Sequence, residues 1–298
     1  MSAEKNINGS TPSWVWKLAL AGAAAIWGGS FVVMKDTLDA IPPAWLMGIR
    51  FLASAVIVGA LFWRRLRDNL DGSHLAMGAI LGLASGAAFV VQNIGLDDTT
   101  PGRNAFLTAT YCVMTPFINW VVTRRRPDGG NVLAALLAIV GVGLVALGDD
   151  LSLAMSRGDW MTLVAADIVL VARFSSAHDV MTLTVVQLAV SALVALGTAL
   201  VLEVPPASEA FASADTWFSL AYLVLLSSCV CMVLQNLGQA HVPPAQASLL
   251  LSLESVFAVV ASVLFYHELV TPRIALGFAT IFVAVLVSEL GLGRRRGK

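Results

Sequence analysis

Charge is scarce in this chain. Asp, Glu, Lys and Arg make up 12% of its residues and hydrophobic ones 58%, whereas soluble domains carry about 25% charge. A soluble fold of this length could not hide so much apolar surface, and the mean hydropathy of +0.81 agrees. Cysteine is scarce too: Cys112, Cys229 and Cys231 all lie in apolar runs. They form neither a disulfide framework nor a metal pattern and read as small packing residues. The four histidines, His74, His178, His241 and His267, are scattered without metal-ligand spacing. No Walker A, nucleophile-elbow or zincin motif occurs, which removes an ATP-driven pump and the common hydrolases. "GVGLVALG" (Gly141–Gly148) lies within an apolar run and reads as helix-packing glycine rather than a dinucleotide loop. Nothing supports catalysis, and no cofactor or metal is implied. The polar start "MSAEKNINGSTPS" lacks the compact basic region of a cleaved signal, and the apolar run after it is too long for one.

What remains is a polytopic membrane protein. A helix crossing the hydrocarbon needs about 20 mainly apolar residues. Ten stretches qualify: 14–34, 44–63, 74–96, 104–123, 131–148, 159–176, 181–203, 216–239, 246–266 and 272–290. Short breaks rich in Pro, Gly and Asp separate them, such as "DAIPPA" and "RRRPDGG". With the N-terminus inside, 13 basic residues fall on inner segments, including Arg64, Arg65, Arg67, Arg124–Arg126 and Arg294–Arg296. Only Lys35, Arg103, Arg157 and Arg273 fall outside, and Arg50 sits within a span. Acids such as Asp36, Asp97, Asp149 and Glu203 collect on the outer side. The positive-inside rule then places both termini in the cytoplasm.

The chain repeats itself. A shift of 143 residues carries Gln92, Asn93, Gly95 and Pro101 onto Gln235, Asn236, Gly238 and Pro244, and the third to fifth spans onto the eighth to tenth. Each half therefore holds five spans. Five is odd, so the second half enters the membrane upside down. The expected fold is all-α integral membrane, ten transmembrane helices as two inverted five-helix repeats, 14–148 and 158–291. Secondary transporters use this architecture, with substrate between the halves near the midplane.

Several ordered stretches carry a resemblance. The first half has "WGGSF" (Trp27–Phe31) with Lys35, Arg50–Phe51, "QNIGL" and Thr115–Pro116. The second has Gly158–Trp160, "QNLGQ", "LLSLESVFA" from Leu250 and "HELVTP" from His267. Over nearly the whole chain this resembles the EamA branch of the drug/metabolite transporter (DMT) superfamily. The resemblance implies export of metabolites such as amino acids across the bacterial inner membrane. Three features depart from the family pattern: Ser255 stands where proline often follows the glutamate, Arg125 where an acid is usual, and the stretch from Gly158 to Arg173 is short.

Polar groups inside the spans are the candidate functional residues, since a central charge costs at least about 2.5–3.5 kcal/mol there. Glu254 lies about 12 Å into the ninth span. It is either a proton-coupling or amine-binding group, or a buried carboxylate that is neutral or hydrogen-bonded to Ser252, Ser255 or an amide. Tyr111 is its counterpart in the fourth span, and Asp167 lies mid-sixth span. Trp27 is beyond the middle of the first span, beside Gly28, Gly29 and Ser30, which serve close packing or a bend. Trp27, Tyr111, Asp167, Ser252 and Glu254 are the substrate-binding candidates. Arg50, about 9 Å in from the outer end of the second span, is read as a structural, paired or snorkelling charge. Gln92, Asn93, Gly95, Gln235, Asn236 and Gly238 lie near span ends and are read as a hinge-and-gate element placed on both faces. The expected partners are a small-molecule substrate, the lipid bilayer and protons as coupling ions, with no nucleic acid, for a monomer working by alternating access. An exporter of organic cations on the same fold and a passive channel are the rival functions.

Overall fold

The structure, a computed structural model, describes residues 12–97, 120, 124, 126–146, 179–266 and 271–290. The fourth span, apart from Trp120, and the sixth, with Tyr111 and Asp167, lie outside the described residues. The described chain is helical, in order α1 (Ser13–Leu38), α2 (Pro43–Leu61), α3 (Trp63–Asn69), α4 (Gly72–Asp97), α5 (Gly129–Ala146), α6 (Val180–Leu202), α7 (Ala214–Ala221), α8 (Cys231–His241), α9 (Pro244–Leu251), α10 (Leu253–Tyr266) and α11 (Pro272–Leu290). A π-helical stretch, Tyr222–Val230, joins α7 to α8 into one long rod. Six helical stretches are long and apolar enough to cross a membrane: Ser13–Leu38, Pro43–Leu61, Gly72–Ile94, Val180–Leu202, Ala214–His241 and Gln246–Phe265. Shorter apolar helices cover Gly129–Gly141 and Ala275–Ala284.

The core of this bundle is largely apolar, but its surface is apolar too, unlike that of a soluble protein. Leu200, Val201, Phe218 and Phe265 expose 72–80% of their surface, while Arg50, Glu254, Gln187, Asn236 and Gln239 are buried. A hydrocarbon surround makes both acceptable: the apolar rim meets lipid, and polar groups withdraw to the protein interior.

Local chemistry starts the helices. Pro43 and Pro244 occupy first-turn positions, where a missing N–H costs nothing. Glu203, just past the end of α6, accepts hydrogen bonds from the N–H groups of Ala44 (2.9 and 3.0 Å) and Trp45 (3.1 Å). A carboxylate on the free donors and positive dipole end of α2 ties these two helices together. At the opposite end of α6, Asp179 caps the helix by accepting from Thr182 N–H (2.9 Å). The Asp179 N–H donates to His74 Nε2 (3.1 Å), so the ring proton sits on Nδ1 and donates to Asp71 (2.8 Å). Asp71 is held below the ordinary aspartate range, chiefly by the His74 backbone N–H that it accepts.

Crossings are close where glycine permits. Gly78, Gly82 and Gly86 recur every fourth residue on α4 and face α6. A Cβ on Gly82 would lie 2.7 Å from the Gln187 carbonyl oxygen, so the two backbones are in contact. The Ser191 hydroxyl donates to Gly82 O across this seam (3.0 Å). The other principal pairings are α5 with α11, α2 with α6, and α1 with both α10 and α8.

Three elements differ from the sequence expectation. The ninth span is two helices meeting at Ser252, where α9 stops and α10 begins. The eighth is continuous but unwound to π pitch in its middle. A separate short helix, α3, carries Arg64, Arg65 and Arg67 between the second and third spans.

Candidate functional site

The site forms where α1, α2 and the π-helical stretch meet. A π turn displaces backbone carbonyls from their usual α-helical partners, and such turns recur at functional positions. Here the displaced oxygens are taken up by side chains from neighbouring helices. Trp27 Nε1–H donates to Ser227 O (2.7 Å), and the Ser54 hydroxyl, which also bonds Arg50 O in its own helix (2.7 Å), reaches Val224 O (3.2 Å). In the other direction, the Tyr222 hydroxyl donates to Ile26 O on α1 (2.9 Å).

Arg50 occupies the centre of this junction with 2% of its surface exposed. Its Nε donates to the Ser228 hydroxyl, and Nη2 donates to the Ser227 hydroxyl (2.8 Å) and to Ser227 O (3.5 Å). Nη1 meets only thioethers, Met34 Sδ at 3.1 Å and Met47 Sδ at 3.9 Å. Thioether sulfur is a weak acceptor, so one edge of the guanidinium is held and the other is nearly bare. Among the described residues no carboxylate pairs with Arg50. Three ion pairs among them, Arg65–Asp179, Arg67–Asp68 and His74–Asp71, lie at helix ends. The partners expected for Arg50 are therefore hydroxyls and a carbonyl rather than an acid.

Glu254 lies on α10, which packs against α1. It is 5% exposed, and Oε1 has no hydrogen-bond partner. The serine partners expected from the sequence are engaged elsewhere. Ser252 donates to Leu249 O (2.7 Å) and Ser255 donates to Ser252 O (2.9 Å), each closing the turn where α9 gives way to α10. A serine whose hydroxyl caps its own bend has no proton left for a neighbouring carboxylate. The first turns of α10 press on Gly28: a Cβ there would lie 2.7 Å from both Glu254 O and Ala258 N. Trp27 and Gly28, adjacent in sequence, thus face the arginine junction and the glutamate helix respectively.

The duplicated amides separate into different environments. Asn236 Nδ2 donates to Thr184 Oγ1 (2.8 Å) and Gln187 Oε1 (3.0 Å), and Gln187 Nε2 donates to Ser85 Oγ (2.7 Å), a polar chain through α8, α6 and α4. Asn93 instead donates to Phe89 O in its own helix (2.8 Å), and its Oδ1 is unpartnered. Gln92 is half-buried near the end of α4 and Gln235 is buried on α8. Gly95 and Gly238 both lie inside continuous helix. At Gly238 a Cβ would run into Leu20 of α1, so the glycine here allows close packing. Sequence reasoning passed over Ser227, Ser228, Gln187, Thr184 and Gln239. Serines in an apolar run read as packing residues, and only the π pitch turns Ser227 towards two other helices.

Comparison with known proteins names the family. The model of the EamA-like transporter family matches residues 14–147 and 160–290. This chain belongs to that family, within the DMT superfamily. It is similar to an uncharacterised transporter of Archaeoglobus fulgidus, 30% identical over 92% of this chain and 85% of that one. It is also similar to the uncharacterised transporter YoaV of Bacillus subtilis, 24% identical over 94% and 98% of the two chains. A protein of known crystal structure matches at TM-score 0.75 and 17% identity over 96% of this EamA chain and 99% of its own, a likeness of fold. The protein is a multi-pass membrane transporter.

Proposed function

We propose that this transporter exports amino acids or similar small zwitterionic metabolites from the bacterial cytoplasm by alternating access. The observation that carries the reading is the pair of buried charges of opposite sign, Arg50 and Glu254, neither with an ionic partner among the described residues. Arg50 has a Nη1 edge held only by weak thioether acceptors and Glu254 an oxygen with no partner; Trp27 contacts the Arg50 junction and Gly28 the helix of Glu254. A free amino acid supplies the complement of both: its carboxylate suits the planar guanidinium edge, and its ammonium suits the carboxylate. Burying either charge unpaired is costly, and a substrate that carries both charges complements each.

Ten spans arranged as inverted repeats, 14–148 and 158–291, provide the moving parts. The helix pairings support this. In the five-plus-five arrangement α5 and α11 are corresponding members and pack together, as do α2 and α6. The packing of α4 on α6 has its counterpart in the π-helical stretch on α2. The basic segments Arg64–Arg67 and Arg124–Arg126 face the cytoplasm under the same arrangement, with both termini inside. Substrate binds between the halves, Trp27, Tyr111, Asp167, Ser252 and Glu254 belong to its surroundings, and protons are the candidate coupling ion. The monomer is the working unit. Gln92, Asn93, Gly95, Gln235, Asn236 and Gly238 form the gates at the two ends.

An exporter of organic cations is the second reading, favoured by the buried, partnerless Oε1 of Glu254, whose helix packs on Gly28. A panel of amino acids, sugars and organic cations in proteoliposomes, with and without a pH gradient, separates the readings. Saturable amino-acid flux is expected. Flux of organic cations alone would replace the substrate class, and unitary conductance would replace the transporter mechanism by a channel.

A further inference from the structure

The short helix α3 stands at the membrane surface, because one span ends just before it at Leu61 and another begins just after it at Gly72. Its two faces are unlike. Phe62 and Leu66 are half-buried and pack against the core of the bundle. The Arg65 carbonyl accepts from the Thr182 hydroxyl (3.5 Å), and the Arg65 guanidinium pairs with Asp179 at the head of α6 (3.7 Å). These contacts seat the helix on α6. Trp63, Arg64 and Arg67, at positions i, i+1 and i+4, share the other face and are all exposed. Trp63 leaves 59% of its surface open, and Leu61 and Leu70 beside it leave 73% and 42%. Arg64 forms no ion pair among the described residues. Arg67 meets its neighbour Asp68 (3.1 Å), but both side chains are well exposed, and a screened pair of that kind holds little.

We infer that the Trp63–Arg64–Arg67 face of α3 binds the headgroup of an anionic phospholipid. Tryptophan favours the headgroup level of a bilayer, where its ring meets apolar chains and its N–H meets water. A guanidinium takes two phosphate oxygens in its fork, and each arginine near an anionic leaflet adds about fivefold in affinity. All three side chains are open, so a headgroup reaches them without displacing protein. Lipid held here bears on the start of α6 through the Arg65–Asp179 pair. The basic segment before α5 offers a contrast: Arg126 lies over the Trp120 ring (5.9 Å), so that tryptophan is already taken by its own arginine. In the topology proposed above the α3 face meets the cytoplasmic leaflet, but binding depends neither on that orientation nor on what is transported.

The test uses full-length protein purified in detergent: wild type, Arg64→Gln, R64Q/R67Q and R124Q/R126Q. Each is titrated with phosphatidylglycerol or phosphatidylcholine, and bound lipid is counted by native mass spectrometry. Wild type is expected to prefer phosphatidylglycerol by at least about tenfold, R64Q to lose about fivefold of that preference, and R64Q/R67Q nearly all of it. R124Q/R126Q removes the same charge and should keep the preference. Arg64 is exposed and outside any ion pair, so R64Q alone carries the test should the double variant be unstable. Equal affinity of wild type for the two lipids, or an undiminished preference in R64Q, overturns the proposal. So does an equal loss in R124Q/R126Q, since surface charge of any placement would then suffice. Displacement of the lipid by millimolar inorganic phosphate would make the site one for free phosphate and overturn the lipid assignment. None of these outcomes touches the zwitterion reading.

Discussion

Arg50→Met is expected to weaken amino-acid binding by about 10- to 100-fold, because a charge-assisted hydrogen bond in a buried site contributes about 1.5–3 kcal/mol. The loss should be specific to the carboxylate. An amino-acid methyl ester, which presents no anion to the guanidinium, should bind the wild type and R50M alike. Arg50→Lys is informative for a different reason. Arg50 donates to Ser228 through Nε and to Ser227 through Nη2, while Nη1 faces the Met34 and Met47 sulfurs. An ammonium keeps the charge but loses the fork, so it cannot hold both serines and leave an edge for substrate. R50K should therefore lose most of the affinity although the charge is retained. Competitive displacement of a radiolabelled amino acid from purified protein measures all three. Equal losses for the amino acid and its ester would mean that Arg50 serves only to hold α2 on the π-helical stretch.

The second large effect concerns Gly28. Its missing side chain lets α1 lie directly on the backbone of α10, where a Cβ would come within 2.7 Å of Glu254 O and Ala258 N. Backbone atoms have no rotamer by which to move aside, so the helices must separate. Gly28→Ala is expected to cost about 1–3 kcal/mol, and Gly28→Val more. Gly22 is the internal control: it lies in the same helix with nothing within 4 Å of its would-be Cβ. Gly22→Ala should be neutral or stabilising by up to about 1 kcal/mol from helix propensity alone. Thermal unfolding of the three variants in detergent checks the ordering. Transport should fall with Gly28→Ala and stay unchanged with Gly22→Ala.

How much of this was legible beforehand depended on which physical signal was at stake. Long apolar runs announce their helices, and the described helices fall where those runs are. The turn at Ser252 left no such mark, because Leu250–Phe257 reads as part of one span that holds two serines and a glutamate, with no proline or glycine to break it. The π pitch of Tyr222–Val230 was equally hidden, since nothing in "YLVLLSSCV" distinguishes it from ordinary helix. That one backbone adjustment determines what Arg50 bonds to, so the guanidinium was visible in the sequence as an anomaly and its serine partners were not. Glu254 stood out for the same reason as Arg50, a charge at membrane depth. Its lack of a partner did not, because that depends on Ser252 and Ser255 turning their hydroxyls back onto their own helix. The Gly78, Gly82, Gly86 stripe had a readable spacing of four, but only the facing of α6 gives it a partner.

The central claim is that two buried charges of opposite sign recognise a zwitterion, and blocking one end of the substrate at a time tests it most directly. Flux through wild-type proteoliposomes is compared for a free amino acid, its methyl ester and its N-acetyl form. The account predicts saturable flux of the free amino acid and a fall of at least about tenfold for each blocked form. An ester carried as fast as the free amino acid would contradict it, since a site that needs only the ammonium is one for organic cations.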